Sequence, residues 1–314
     1  MTTSPEIHFL EWGAGPPVIA LHGLGLDASS FTGLAHSVVG SGMRMIAADL
    51  PGFGRTPLPA GPLTAPTMAR PIIELAASLE AKPLLLGMSM GARVALEAAL
   101  LAPERFRGLV MMAPPLPRRN QRWLLQPVRL LSPAIAERIP LERAWPWLKR
   151  QADRLEDELT GEAQHDWFLR ASKRMIYNVS CPATRRALIS ATRELALDPA
   201  YGPNGAWTRL EHLKLPTAFV WGEKDKFVDV ANAPFTEQLV PTAFQIRVPC
   251  AGHFDNGPHF RCMEYGALEG IRLVEAVARG ERRFPTERNR VRFVGCRVAG
   301  PTQANTTGRA LAAV

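Results

Sequence analysis

The chain has 314 residues, 46% of them hydrophobic, which is enough for a sizeable buried core around one sheet. Its formal net charge of +8 excludes less than it suggests, because from Glu281 onward seven Arg face only two Glu, leaving a net of +3 for the rest. A basic tail on a nearly balanced body argues for a solvated extension and against a nucleic-acid partner.

In chain order, Met1 to Pro17 lacks the basic-then-apolar layout of a signal peptide. No uncharged apolar run is long enough to cross a bilayer, so the expectation is a cytoplasmic protein without a membrane partner. Short apolar runs then predict strands over Pro17–Leu21, Met43–Ala48, Pro83–Met88 and Gly108–Ala113. Helical spacing fills the gaps at about Ser29–Val39, Thr67–Leu79 and Met90–Leu101. Continuously apolar strands alternating with helices predict an α/β fold, with a mostly parallel central sheet covered on both faces.

From 115 to 206 the texture changes to proline-punctuated, charged helical patterns, with Trp123, Trp145, Trp147, Trp167 and Trp207 in it or at its edge. The sheet rhythm resumes at Thr217–Trp221 and Ala243–Val248, followed by a helix near Glu264–Ala278. Residues 1–114 and 207–280 therefore read as one core, 115–206 as a helical insertion, and 281–314 as a basic tail that packs poorly from Phe284 on. Cys181, Cys250, Cys262 and Cys296 show neither CxxC pairing nor zinc-ligand spacing, which predicts free thiols and no metal site.

The chemistry concentrates at strand exits. Gly87-Met88-Ser89-Met90-Gly91 leaves an apolar strand and opens a helix. A serine on so sharp a turn projects its hydroxyl over the sheet edge and needs small neighbours two residues away on each side. Leu21-His22-Gly23-Leu24-Gly25 leaves the strand before it, and its glycines can expose a backbone N–H for an oxyanion. The expected donors are the amides of Leu24 and Met90, with His22 as a buried brace of the loop. Two further strand exits carry Asp225, in Trp221-Gly222-Glu223-Lys224-Asp225, and His253, in Cys250-Ala251-Gly252-His253-Phe254. An imidazole can take and return the serine proton while a carboxylate holds its tautomer, so Ser89, Asp225 and His253 are the expected catalytic residues. Asp229 is a weaker candidate for the carboxylate and Asp198 weaker still; His259 is a weaker base. His8, His36, His165 and His212 have no supporting motif.

These segments, with Asp49-Leu50-Pro51-Gly52-Phe53-Gly54-Arg55-Thr56, make the sequence resemble the α/β-hydrolase superfamily over about residues 6–280. The resemblance implies a serine hydrolase with a helical cap over its site, cleaving a small or medium carboxylic ester without a cofactor, and a structural role for Asp49. Two rivals stand beside it. One is a carbon–carbon bond hydrolase or perhydrolase on the same triad, although the Gly-Pro-Gly run typical of the former is missing from Gly25-Leu26-Asp27. The other is a non-catalytic ligand-binding protein on the same fold, disfavoured by a complete triad.

Overall fold

A computed structural model of the chain describes residues 5–117, 122–139, 174–179, 181–253, 260–286 and 291–294. The strands are β1 (Phe9–Trp12), β2 (Pro17–Leu21), β3 (Arg44–Ala48), β4 (Leu84–Met88), β5 (Gly108–Met112), β6 (Thr217–Gly222), β7 (Phe244–Val248) and β8 (Val291–Phe293). They form one sheet in the order β1-β3-β2-β4-β5-β6-β7-β8. Only β1 runs antiparallel, against β3. Every residue of β2, β5 and β6 is buried, as parallel strands covered on both faces require.

The covering helices are α1 (Thr32–Gly40), α2 (Ala65–Ala77), α3 (Met90–Leu101), α4 (Pro133–Arg138), α5 (Pro182–Leu197), α6 (Ala206–Leu210), α7 (Ala233–Leu239) and α8 (Phe260–Ala278). Local chemistry sets several of their starts. The Thr64 side chain accepts from the Thr67 amide at the head of α2, and the Asp27 carboxylate accepts from the Ser29 amide to start a 3₁₀ turn, Ala28–Phe31, ahead of α1. The expected helix over Ser29–Val39 is thus a tight turn followed by an α-helix, and the last expected helix begins four residues early, at Phe260.

Two strands had no sequence signal. β1 is a short edge strand with alternating exposure, and β8 pairs with β7 inside the tail expected to pack poorly. The cysteine expectation is corrected as well. Cys250 and Cys262 are both disulfide-bonded, and Cys181 is free; since Cys296 could partner only one of the two, they are bonded to each other. Cys250, just past β7, and Cys262, in the first turn of α8, meet only in the folded chain, and cysteine spacing does not report that.

Between β5 and β6, which are neighbours in the sheet, the described residues contain a 3₁₀ stretch (Arg122–Leu130), α4, helical residues 174–179 and α5, and no strand. Buried Arg185 of α5 ties the end of α4 to helical residues 174–179 by donating to the carbonyls of Ala136, Glu137, Ile139 and Val179 at 2.6, 3.1, 2.7 and 2.9 Å. No described helix is long and apolar enough to cross a membrane.

Candidate active site

The strand order reverses between β2 and β4: β2 is followed in sequence by its neighbour on one side, β4 by its neighbour on the other. Such a switch opens a crevice beyond the carboxyl ends of the strands, where parallel sheets gather ligands. The loops after β2 and β4 form its walls, and those after β6 and β7 reach over it.

At the end of β4 the chain turns through Ser89 at φ 50° and ψ −121°, a left-handed backbone rarely adopted by a residue with a side chain. Its amide donates to the Met112 carbonyl at 2.9 Å, and its own carbonyl accepts from the Ala92 amide at 2.8 Å, so both sides of the turn are fixed. Gly91 is dictated by contact, because a Cβ there would collide with the Leu21 carbonyl of β2. The turn aims the Ser89 hydroxyl at the crevice and places the N-terminus of α3 beneath it.

His253 meets that hydroxyl, with Nε2 3.1 Å from Ser89 Oγ, while its Nδ1 lies 2.7 Å from Asp225 Oδ2. In the neutral tautomer that fits both, Nδ1–H donates to the carboxylate and Nε2 accepts from the serine. The other oxygen of Asp225 accepts from the Phe227 and Val228 amides, each at 2.8 Å, which locks the carboxylate in place. The His253 and Asp225 side chains are 6% and 2% exposed, so bulk water does not compete for these bonds. The Phe227 ring tilts against the imidazole at 5.5 Å.

Among the described residues, the backbone amides of Leu24 and Met90 donate to no backbone carbonyl. The loop bearing Leu24 is held from below by His22, which is fully buried. The Leu50 amide donates to its Nε2 at 2.9 Å, so Nδ1 carries the proton and donates to the Gly23 carbonyl at 2.8 Å. Burial pushes the His22 imidazole below its usual pKa, more than the Gly23 carbonyl and the Asp49 carboxylate raise it, which keeps this tautomer neutral. Asp49 accepts from the Ala28 and Arg55 amides at 2.7 and 2.9 Å and pairs with His8 at 2.7 Å, joining two loops.

The remaining candidates lie elsewhere. Asp229 caps the 3₁₀ turn Val230–Asn232, and Asp198 pairs with Arg93. His36 bonds its own helix, and His212 is exposed. His165 and His259 lie outside the described residues, as do Trp145, Trp147 and Trp167 and the side chain of Trp123. Trp207 is buried against Phe235 and donates to the Pro117 carbonyl at 2.7 Å, so it belongs to the core.

Above Ser89 and His253 lies a cavity of about 370 Å³. Its walls include four methionines, Met88, Met112, Met175 and Met263, of which only Met88 stands inside a motif singled out in the sequence. Thioether chains adapt to irregular apolar shapes, so such a wall suits a flexible hydrocarbon.

The α/β-hydrolase fold family profile matches residues 16–260, and the chain belongs to that family. A pimeloyl-[acyl-carrier protein] methyl ester esterase of Shewanella woodyi is 28% identical over 261 residues, 76% of this chain and 91% of its own length. One from Aeromonas salmonicida is 37% identical over 103 residues, 32% of this chain and 39% of its own length. The chain spans about two-fifths to half of the length of the first curated relatives it matches. Among solved structures, an esterase from Thermogutta terrifontis aligns with a TM-score of 0.60 at 23% identity, covering 89% of this chain and 94% of the other. An esterase from Exiguobacterium antarcticum aligns with a TM-score of 0.62 at 19% identity, covering 86% and 96%. These two likenesses speak to the fold.

Proposed function

We propose that the chain hydrolyses carboxylic esters of small or medium acyl groups through an acyl-enzyme. The observation that carries this reading is the unbroken chain of contacts from Asp225 through His253 to Ser89, opening on an apolar cavity. Ser89 Oγ attacks the acyl carbonyl while its proton passes to His253 Nε2, and Asp225 stabilises the imidazolium that results. The Leu24 and Met90 amides receive the negative charge on the carbonyl oxygen. Collapse of the tetrahedral intermediate breaks the ester C–O bond, and the alcohol leaves with the proton held by His253. Water, deprotonated by the same imidazole, then attacks the acyl-serine; the acid departs and Ser89 recovers its proton.

The names of the relatives support the ester bond as the target. They lend nothing to the carbon–carbon and perhydrolase readings of the same triad. Segment 115–206 acts as a cap: its residues Pro115, Met175 and Leu195 reach the cavity wall, which favours an uncharged acyl chain over a polymer. The chemistry needs no cofactor. The test is labelling with a fluorophosphonate alongside turnover of p-nitrophenyl esters of increasing chain length. Stoichiometric labelling of wild type, none of Ser89→Ala, and a rate maximum at medium length are expected. Wild-type turnover by Ser89→Ala would refute the mechanism.

A further inference from the structure

We infer that Asn178, in the inserted segment, is a positioning residue for the oxyanion donor Leu24, so that the oxyanion loop is complete only when this segment is seated on it. This rests on the acyl-enzyme reading above. The Leu24 N–H belongs to the planar Gly23–Leu24 peptide, so whatever fixes the Gly23 carbonyl also fixes the direction of that N–H. His22 does so from the core side. Two residues on, the Gly25 carbonyl accepts from the Asn178 side-chain amide at 2.6 Å, a contact across 153 positions of chain. Asn178 is 1% exposed, so the bond is shielded from water.

Neighbours one turn away reinforce the contact. Residues 174–179 are helical, which puts 174 and 178 on one face. Arg174 forms an ion pair with Asp27, two residues beyond Gly25. Met175 lies directly on Gly25, which sits at φ 72°; a Cβ there would come within 2.5 Å of the methionine's terminal carbon. Helix and loop thus meet at three points, 174 on 27, 175 on 25 and 178 on 25. The loop is gripped from both sides, and the Leu24 amide lies between the two grips.

A group that only stabilises the fold would change the melting temperature and leave the chemistry of the folded enzyme alone. A positioning role predicts a loss confined to the tetrahedral state. Asn178→Leu keeps the volume and removes the donor. We expect it to lower kcat for p-nitrophenyl butyrate at least tenfold, with KM within threefold of wild type. The affinity for an alkyl trifluoromethyl ketone, which forms a tetrahedral oxyanion on Ser89, should fall by the same factor as kcat/KM. The affinity for a primary alcohol of equal chain length, which forms none, should hold. An unchanged kcat, or a rise in KM alone, overturns the inference. If Asn178→Leu does not fold, Arg174→Gln is read in the same assays: a threefold or larger loss of ketone affinity supports the inference, and none overturns it. An active Ser89→Ala would instead break the underlying mechanism, so the two failures are told apart.

Discussion

One helix, α3, carries two buried polar clusters of opposite character. At its N-terminus Ser89, His253 and Asp225 form a chain with a single carboxylate, ending in a hydroxyl that faces a cavity of about 370 Å³. One and two turns further along, Arg93 and Glu97 join Asp198 and Arg209. There Arg93 bonds both oxygens of Asp198, at 2.7 and 3.1 Å, and donates to Glu97 at 2.9 Å. Arg209 Nη1 donates to both Glu97 oxygens at 2.8 Å. Two cations balance two carboxylates, and the adjoining void of about 10 Å³ has room for a single water at most. Both clusters have short bonds and low exposure. They differ in saturation, since the second has its charges matched and no space for a substrate, while the first ends in a hydroxyl with room in front of it.

That contrast can be broken at either end. The largest effect is expected from Ser89→Ala, which should cut kcat/KM by roughly 10⁴ or more while shifting unfolding free energy by less than about 1 kcal/mol. Paired ester kinetics and urea melts check it. Asp225→Asn should lower kcat by about 10³–10⁴, because an amide oriented to keep the Phe227 and Val228 bonds presents a donor to His253 and favours the wrong tautomer. A loss under tenfold would mean that another carboxylate serves the imidazole. At the saturated cluster the pattern should invert. Arg93→Met removes one of two cations from this buried cluster, leaving Glu97 to Arg209 alone, and should cost about 3–5 kcal/mol in stability, with kcat per folded molecule within a few-fold of wild type.

The smallest expected effect is a pH slope. The folded pKa of His22 lies below its unfolded value, so near that value the unfolded chain binds the extra proton. Stability should therefore fall as pH drops from about 7 through the ordinary histidine range near 6.5. His22→Asn should flatten that part of the curve, and an unchanged slope would move the titration elsewhere.

How much of this was legible in the sequence follows from where each signal is written. Ser89, Asp225 and His253 each stand in a short motif at a strand exit, and the order of strands puts those exits on one edge. Strand positions came within a residue or so because continuously apolar runs mark strands buried on both faces. β1 and β8 lie at the sheet edges with partly exposed side chains, so no apolar run announces them. Asn178, Arg174, Met175 and Met263 gave no local sign either. Their roles come from contacts across many tens of residues, and an isolated polar or thioether side chain in a helix reads as surface or core until the fold sets it against a partner.

The left-handed backbone at Ser89 restricts which nucleophiles this site could ever carry. A cysteine adds no branch at Cβ and would sit in the turn much as serine does, turning an oxygen ester intermediate into a thioester. A threonine would set a second heavy atom on Cβ against a backbone already crowded at φ 50°. The turn thus tolerates a change of element and resists one extra carbon, so evolution at this position could swap oxygen for sulfur far more readily than it could add a methyl.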